Sequence, residues 1–79
     1  PSISARVDYL RGFYEILKYN LANGVSYLQS ALKQAQITKD MEILQFCNIQ
    51  LATAYLLYYK FRSKEEYLNN LGNTGFHWI

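Results

Sequence analysis

Residues 27–35 read Tyr-Leu-Gln-Ser-Ala-Leu-Lys-Gln-Ala. With Gly24 just upstream, they set small side chains (Gly24, Ser30, Ala31, Ala35) between large apolar ones, Leu28 and Leu32, at helical spacing. A helix built this way lets a second helix approach along one stripe, because no bulky side chain holds the two backbones apart. Larger residues on either side then close around the contact. Gly24 points the same way: glycine inside a helix costs about 1 kcal/mol relative to alanine, a cost that is understandable where a neighbouring backbone passes close. A chain organised around such a stripe is expected to be all-α and built of antiparallel helical hairpins.

The apolar periodicity extends this expectation along the chain. Ser2 or Ser4 can cap a first helix in which Val7, Leu10, Phe13, Tyr14 and Leu17 recur at three and four. It should end near residues 18–20, where Lys18 suits the C-terminal dipole and Asn20 tolerates the left-handed conformation of helix ends. A second helix over about 21–36 places Leu21, Val25, Leu28, Leu32 and Ala35 inward, and the short connection makes the two helices antiparallel neighbours. Thr38 is expected to cap a third helix, with Asp40 and Glu42 in its first turn. This helix runs to about residue 59, with Ile43, Leu44, Cys47, Leu51, Ala54, Tyr55 and Tyr58 on one face and Phe46, Ile49, Leu56 and Leu57 on another. A helix apolar on two sides is contacted on two sides. Ser63 followed three residues later by Glu66 is a capping-box pattern, predicting a fourth helix over about 64–71 that Gly72 and Asn73 stop. The expected organisation is one helical segment, 1–71, of two hairpins (about 3–36 and 38–71), then a non-helical aromatic tail, 72–79.

Composition decides among function classes. At 79 residues the chain is a single domain at the small end of what folds unaided. Half of it (51%) is hydrophobic and only 18% charged, so some apolar area is expected to be covered by a partner, a second copy or a neighbouring segment. The net charge of +2 is carried by scattered basic residues. Their only cluster, Lys60, Arg62 and Lys64, runs directly into Glu65 and Glu66, which reads as a solvated turn and not as a nucleic-acid site. Cys47 is alone, which rules out an internal disulfide, and between Phe46 and Ile49 it reads as a small core residue. No apolar run approaches the roughly 20 residues needed to cross a bilayer. His77 is the only histidine and has no second ligand at metal spacing, so neither a metal site nor a general base is expected there. Glu65 and Glu66 diverge by about 100° on a helix and cannot share a substrate. With no Gly-rich phosphate loop either, the expectation is no enzyme and no cofactor.

In the first hairpin, Gly12 sits mid-helix, Gly24 follows twelve residues later, and Leu28 and Ala31 come after it. This order of small, small, large and small resembles the tetratricopeptide repeat (TPR). In the second hairpin Leu51-Ala52 followed by Tyr55 is similar to the family's Leu-Gly…Tyr segment, and Leu68 falls where the partner helix carries its large residue. Departures are plain: Asp8 and Asn48 stand where the family has tryptophan, Gln36 where it has proline, and Lys64 and Leu71 where it has small residues. The offset from Gly12 to Ala52 is 52 − 12 = 40 residues, against the usual repeat of about 34. Such stretched repeats resemble those of TPR scaffold subunits of the cohesin loader and the anaphase-promoting complex. The resemblance spans about 6–71, and it implies that the first helix of each hairpin lines a concave face. Arg6, Tyr9, Phe13, Ile16 and Leu17 would then stand beside Phe46, Ile49, Thr53, Leu56 and Leu57.

The function this implies is a non-enzymatic protein–protein interaction scaffold. Its apolar trough takes an extended or helical peptide of a partner, or flanking repeats, with no direct contact to nucleic acid or membrane. An intracellular, nuclear complex would be the setting. The competing expectation is a helical oligomerisation domain whose apolar faces bury against copies of itself. Two repeats leave their end faces uncovered, and the chain opens on Pro1 without a methionine, so a fragment of a longer solenoid or a member of an obligate complex is expected.

Overall fold

The structure, a computed structural model describing residues 3–73, consists of three helices in series: α1 (Ile3–Leu17), α2 (Leu21–Thr38) and α3 (Met41–Asn73). α1 and α2 form an antiparallel hairpin, and α3 returns along α2 with a smaller contact to α1. Two clusters of buried side chains lie one above the other, each drawn from all three helices. Ala5, Ala31, Ala35, Ile43 and Cys47 make the first; Ile16, Leu28, Leu51 and Ala54 make the second.

The small residues lie where α1 and α2 cross. A Cβ added to Gly24 would sit 2.5 Å from Ile16 Cδ1 and 3.1 Å from the Gly12 carbonyl oxygen. One added to Gly12 would sit 2.8 Å from Leu28 Cγ and 3.0 Å from the Gly24 carbonyl oxygen. Leu28, Ala31 and Ala35 are wholly buried beside them. The hairpin expected over 3–36 is present, with α2 two residues longer than expected.

Its details differ in three ways. The left-handed residue ending α1 is Tyr19 (φ 62°), not Asn20. The Asn20 N–H donates to the Glu15 carbonyl (2.9 Å) and the Tyr19 N–H to that of Ile16 (3.0 Å), closing the helix in a Schellman arrangement. Thr38 does not cap α3. It is the last residue of α2, its hydroxyl donating to the Gln34 carbonyl (3.1 Å), and the cap is Asp40, whose Oδ1 accepts the Ile43 N–H at 3.3 Å. The buried stripe of α1 is Ala5, Gly12 and Ile16, whereas Val7, Leu10, Tyr14 and Leu17 are 41–66% exposed. The large apolar stripe faces outward because the close crossing with α2 admits only small residues and the isoleucine that fits over Gly24.

The largest correction concerns the second half. α3 is one helix of 33 residues that passes through Ser63 without a break, so the described residues form three helices and not four, and the hairpin expected over 38–71 does not form. Leu68 therefore lies on the same rod as Leu51 and cannot cross it. No glycine or proline occurs between Gly24 and Gly72, and a capping box strengthens a helix start without itself breaking a helix. At 1.5 Å per residue α3 is about 50 Å long, and every described side chain from Tyr58 to Asn69 is exposed. The radius of gyration is accordingly 17.0 Å, against about 11 Å for a compact domain of this size. Gly72 and Asn73, expected to lie outside the helix, end it; the rest of the expected tail, 74–79, lies outside the described residues.

Candidate functional site

The face shared by α1 and α3 is built around Tyr9. Its ring meets Phe13 edge-on at 6.1 Å and lies against Phe46 at 5.8 Å with the planes tilted by 31°. Such pairs contribute beyond simple area burial because the ring edge of one is drawn to the face of the other. Arg6 closes one end. Its guanidinium pairs with Asp40 Oδ2 at 3.2 Å and with Glu42 Oε1 at 3.3 Å, tying the start of α1 to the first turn of α3. Arg6 is half exposed, so these pairs set alignment more than stability. Along α3 the face continues through Phe46, Ile49 and Leu56, which are 41%, 58% and 56% exposed. Thr53 lies between them; its hydroxyl donates to the Ile49 carbonyl at 3.0 Å, leaving its methyl group as the outward part.

Of the residues expected to line a trough, Tyr9, Phe13 and Phe46 are therefore in ring contact, Arg6 frames them, and Ile49, Thr53 and Leu56 extend the face. Ile16 is not part of it. At 4% exposure it is a core residue packed onto Gly24, since the close crossing draws its side chain toward α2. Leu17 is exposed, and Leu57 packs half-buried against the second core cluster. Sequence reasoning missed Gln50, whose side chain hydrogen-bonds the Tyr9 hydroxyl. The available signal was its position one turn beyond Phe46 on the same helix.

The titratable groups here are poor reactants. Burial pushes the Tyr9 phenol above its ordinary value, with the Gln50 hydrogen bond working against that shift and Cys47 adding slightly to it. Cys47 is wholly buried, and that burial also pushes its thiol up, away from the reactive thiolate. Among the described residues no group of His, Cys, Asp and Glu is arranged to hold a metal ion, and no helix is long and apolar enough to cross a membrane. His77 lies outside the described residues.

A concavity opens between α2 and α3. It is an apolar groove of about 320 Å³ lined by Leu21, Ala22, Val25, Ala54, Tyr55 and Tyr58. Nearby, the Tyr19 ring on the α1–α2 turn meets Phe61 edge-on at 5.6 Å. No family model, curated protein or solved structure matches this chain, so the functional reading rests on the geometry of these surfaces.

Proposed function

We propose that this chain is a non-enzymatic protein–protein interaction scaffold in which Tyr9, Phe13, Phe46, Ile49, Thr53 and Leu56 receive an apolar segment of a partner protein. The observation that carries the reading is the row of three rings, Phe13, Tyr9 and Phe46, running from α1 to α3 and continuing into exposed Ile49 and Leu56. Rigid aromatic side chains in mutual contact lose little further entropy on binding, and such groups anchor interfaces. In this reading α1 and α2 make one TPR-like repeat and the packed part of α3 stands where the first helix of a following repeat would be. The Gly12, Gly24, Leu28 and Ala31 crossing supports it.

A second reading, self-association, is favoured by a different observation, the exposed length of α3 beyond Leu57. One set of experiments separates the two. Full-length chain and a Phe13→Glu/Phe46→Glu variant are compared for capture of a protein from an extract of the source cells, with helicity followed by circular dichroism and mass by sedimentation. The scaffold reading expects a monomer that captures a partner and a variant that stays helical but captures none. Retention of the partner by the variant overturns the assigned face. A wild-type dimer or larger species with no foreign protein supports self-association instead.

A further inference from the structure

α1 carries two apolar stripes, and only one is used by the fold. Ala5, Tyr9, Gly12 and Ile16 face α2 and α3. Ile3, Val7, Leu10, Tyr14 and Leu17 recur at alternating four and three, and they are 74%, 41%, 63%, 59% and 66% exposed. At 100° per residue this second stripe is centred roughly 150° around the helix from the first. Its spacing is that of the a and d positions of a heptad, the pattern that seats a second helix. We propose that this outer seam of α1 docks an amphipathic helix of a partner protein whose own apolar stripe is bordered by aspartate or glutamate.

The choice of occupant comes from the charges at the border. Arg11 and Lys18 occupy equivalent positions beside the seam, one heptad apart. Arg11 makes no ion pair among the described residues, and the Lys18 ammonium rests 4.8 Å above the Tyr14 ring, on the seam itself. The acidic residues of α1 are held elsewhere. Asp8 accepts hydrogen bonds from Ser30 (2.9 Å) and Gln34 (2.7 Å) of α2, and Glu15 accepts one from Asn20 (2.8 Å). On the other border Arg6 is bound to Asp40 and Glu42. A second copy of α1 laid antiparallel on this seam would thus bring Arg11 and Lys18 opposite each other, basic against basic, and one laid parallel would set Lys18 against Phe13, with no carboxylate to meet it. An acid-bordered helix meets Arg11 and Lys18 with opposite charge, which favours the right partner and rejects the wrong one.

The test uses two synthetic helical peptides of about three heptads, each with leucine at the a and d positions. One carries glutamate at every bordering position and the other lysine. Each is titrated into the full chain by calorimetry. The glutamate peptide is expected to bind about tenfold more tightly than the lysine peptide at about 50 mM salt, with the preference fading at about 500 mM. Leu10→Asp should weaken binding at least about tenfold, and Arg11→Glu/Lys18→Glu should reverse the preference between peptides. All three side chains are exposed, so helicity should survive these changes and a loss of binding can be read as loss of the seam. Ile49→Glu/Leu56→Glu, both on α3, should leave peptide binding intact, which keeps this inference separate from the fate of the α1–α3 face. Equal binding of the two peptides, or binding of neither, overturns the proposal. So does a wild-type dimer dissolved by Leu10→Asp, which would put a second copy on the seam. Leu10-dependent binding to phosphatidylserine vesicles without peptide binding would make the occupant a membrane surface, and also overturns it.

Discussion

In the α1–α2 hairpin the large buried residues Ile16 and Leu28 each stand over a glycine of the opposite helix. Beyond Leu57 on α3, Tyr58, Tyr59, Phe61, Tyr67 and Leu68 are 50–69% exposed. The far part of α3 is the more charged of the two, with Lys60, Arg62, Lys64, Glu65 and Glu66 among its residues, but charge is not the whole difference. The hairpin has small residues that let a second backbone come near, so the large residues standing over them, Ile16 and Leu28, find atoms on every side. The far part of α3 has large residues with little opposing surface: Tyr58 borders the groove with α2 and Phe61 meets Tyr19, yet both stay at least half exposed. Burial in the hairpin follows from complementarity of large against small.

The sharpest way to break this comparison is to truncate one leucine in each region. Leu28→Ala removes a wholly buried side chain between Gly12 and α3, and is expected to cost about 2–5 kcal/mol. Leu68→Ala, at 54% exposure, should stay within about 0.5 kcal/mol of the parent. Urea unfolding followed by circular dichroism measures both. Comparable losses at the two sites would mean that α3 beyond Leu57 is covered in solution.

The two glycines of the crossing sharpen the picture at smaller scale. Alanine at either gains about 1 kcal/mol of helix propensity, so the sign of the change reports the space available. At Gly12 the new methyl group meets Leu28 Cγ at 2.8 Å, and Leu28 is enclosed and cannot move aside. At Gly24 the nearest atom is Ile16 Cδ1, the flexible end of a side chain, although the Gly12 carbonyl at 3.1 Å must also give. With overpacking at about 1–3 kcal/mol set against that gain, Gly12→Ala is expected to destabilise by up to about 2 kcal/mol net and Gly24→Ala by less than about 1 kcal/mol. A stabilised Gly12→Ala variant would show that the helices stand farther apart than this contact requires.

The same contrast explains what could be read from the sequence. The hairpin was legible because Gly24, Ala31 and Ala35 mark one stripe and leave one way to use it. α3 was legible up to Ala54: Ile43, Cys47, Leu51 and Ala54 are the buried set. The orientation of α1 was not, because its larger apolar stripe, Val7, Leu10, Tyr14 and Leu17, outweighs Ala5 and Gly12 on any hydropathy count, while the crossing selects by size. Of the α1–α3 face, the proximity of Tyr9, Phe13 and Phe46 was expected from the repeat-like spacing. Ile16 was misplaced for the same reason as the rest of α1, one side chain being claimed by the glycine opposite. The break at Ser63 was read from a local pattern, and a local pattern cannot say whether a surface exists for the folded-back segment to rest on.

The last and smallest effect asks about that segment directly. Lys64→Pro puts proline at the first position after Ser63, where a new helix accepts it readily but a continuing helix loses a hydrogen bond and clashes with the preceding turn. Within a packed helix that change costs about 3 kcal/mol or more. Here nothing buried lies downstream, since every described side chain from Tyr58 to Asn69 is exposed. The unfolding midpoint should therefore move by less than about 0.5 kcal/mol-equivalent. Helicity should drop by about ten residues, because a segment that short does not hold a helix alone in water. If instead helicity is kept and the radius of gyration falls from 17.0 Å toward the compact value, the arm has folded back. The groove of Leu21, Val25, Tyr55 and Tyr58 is the surface it would meet, and the difference between the two halves of the molecule would then be one of chain direction at Ser63.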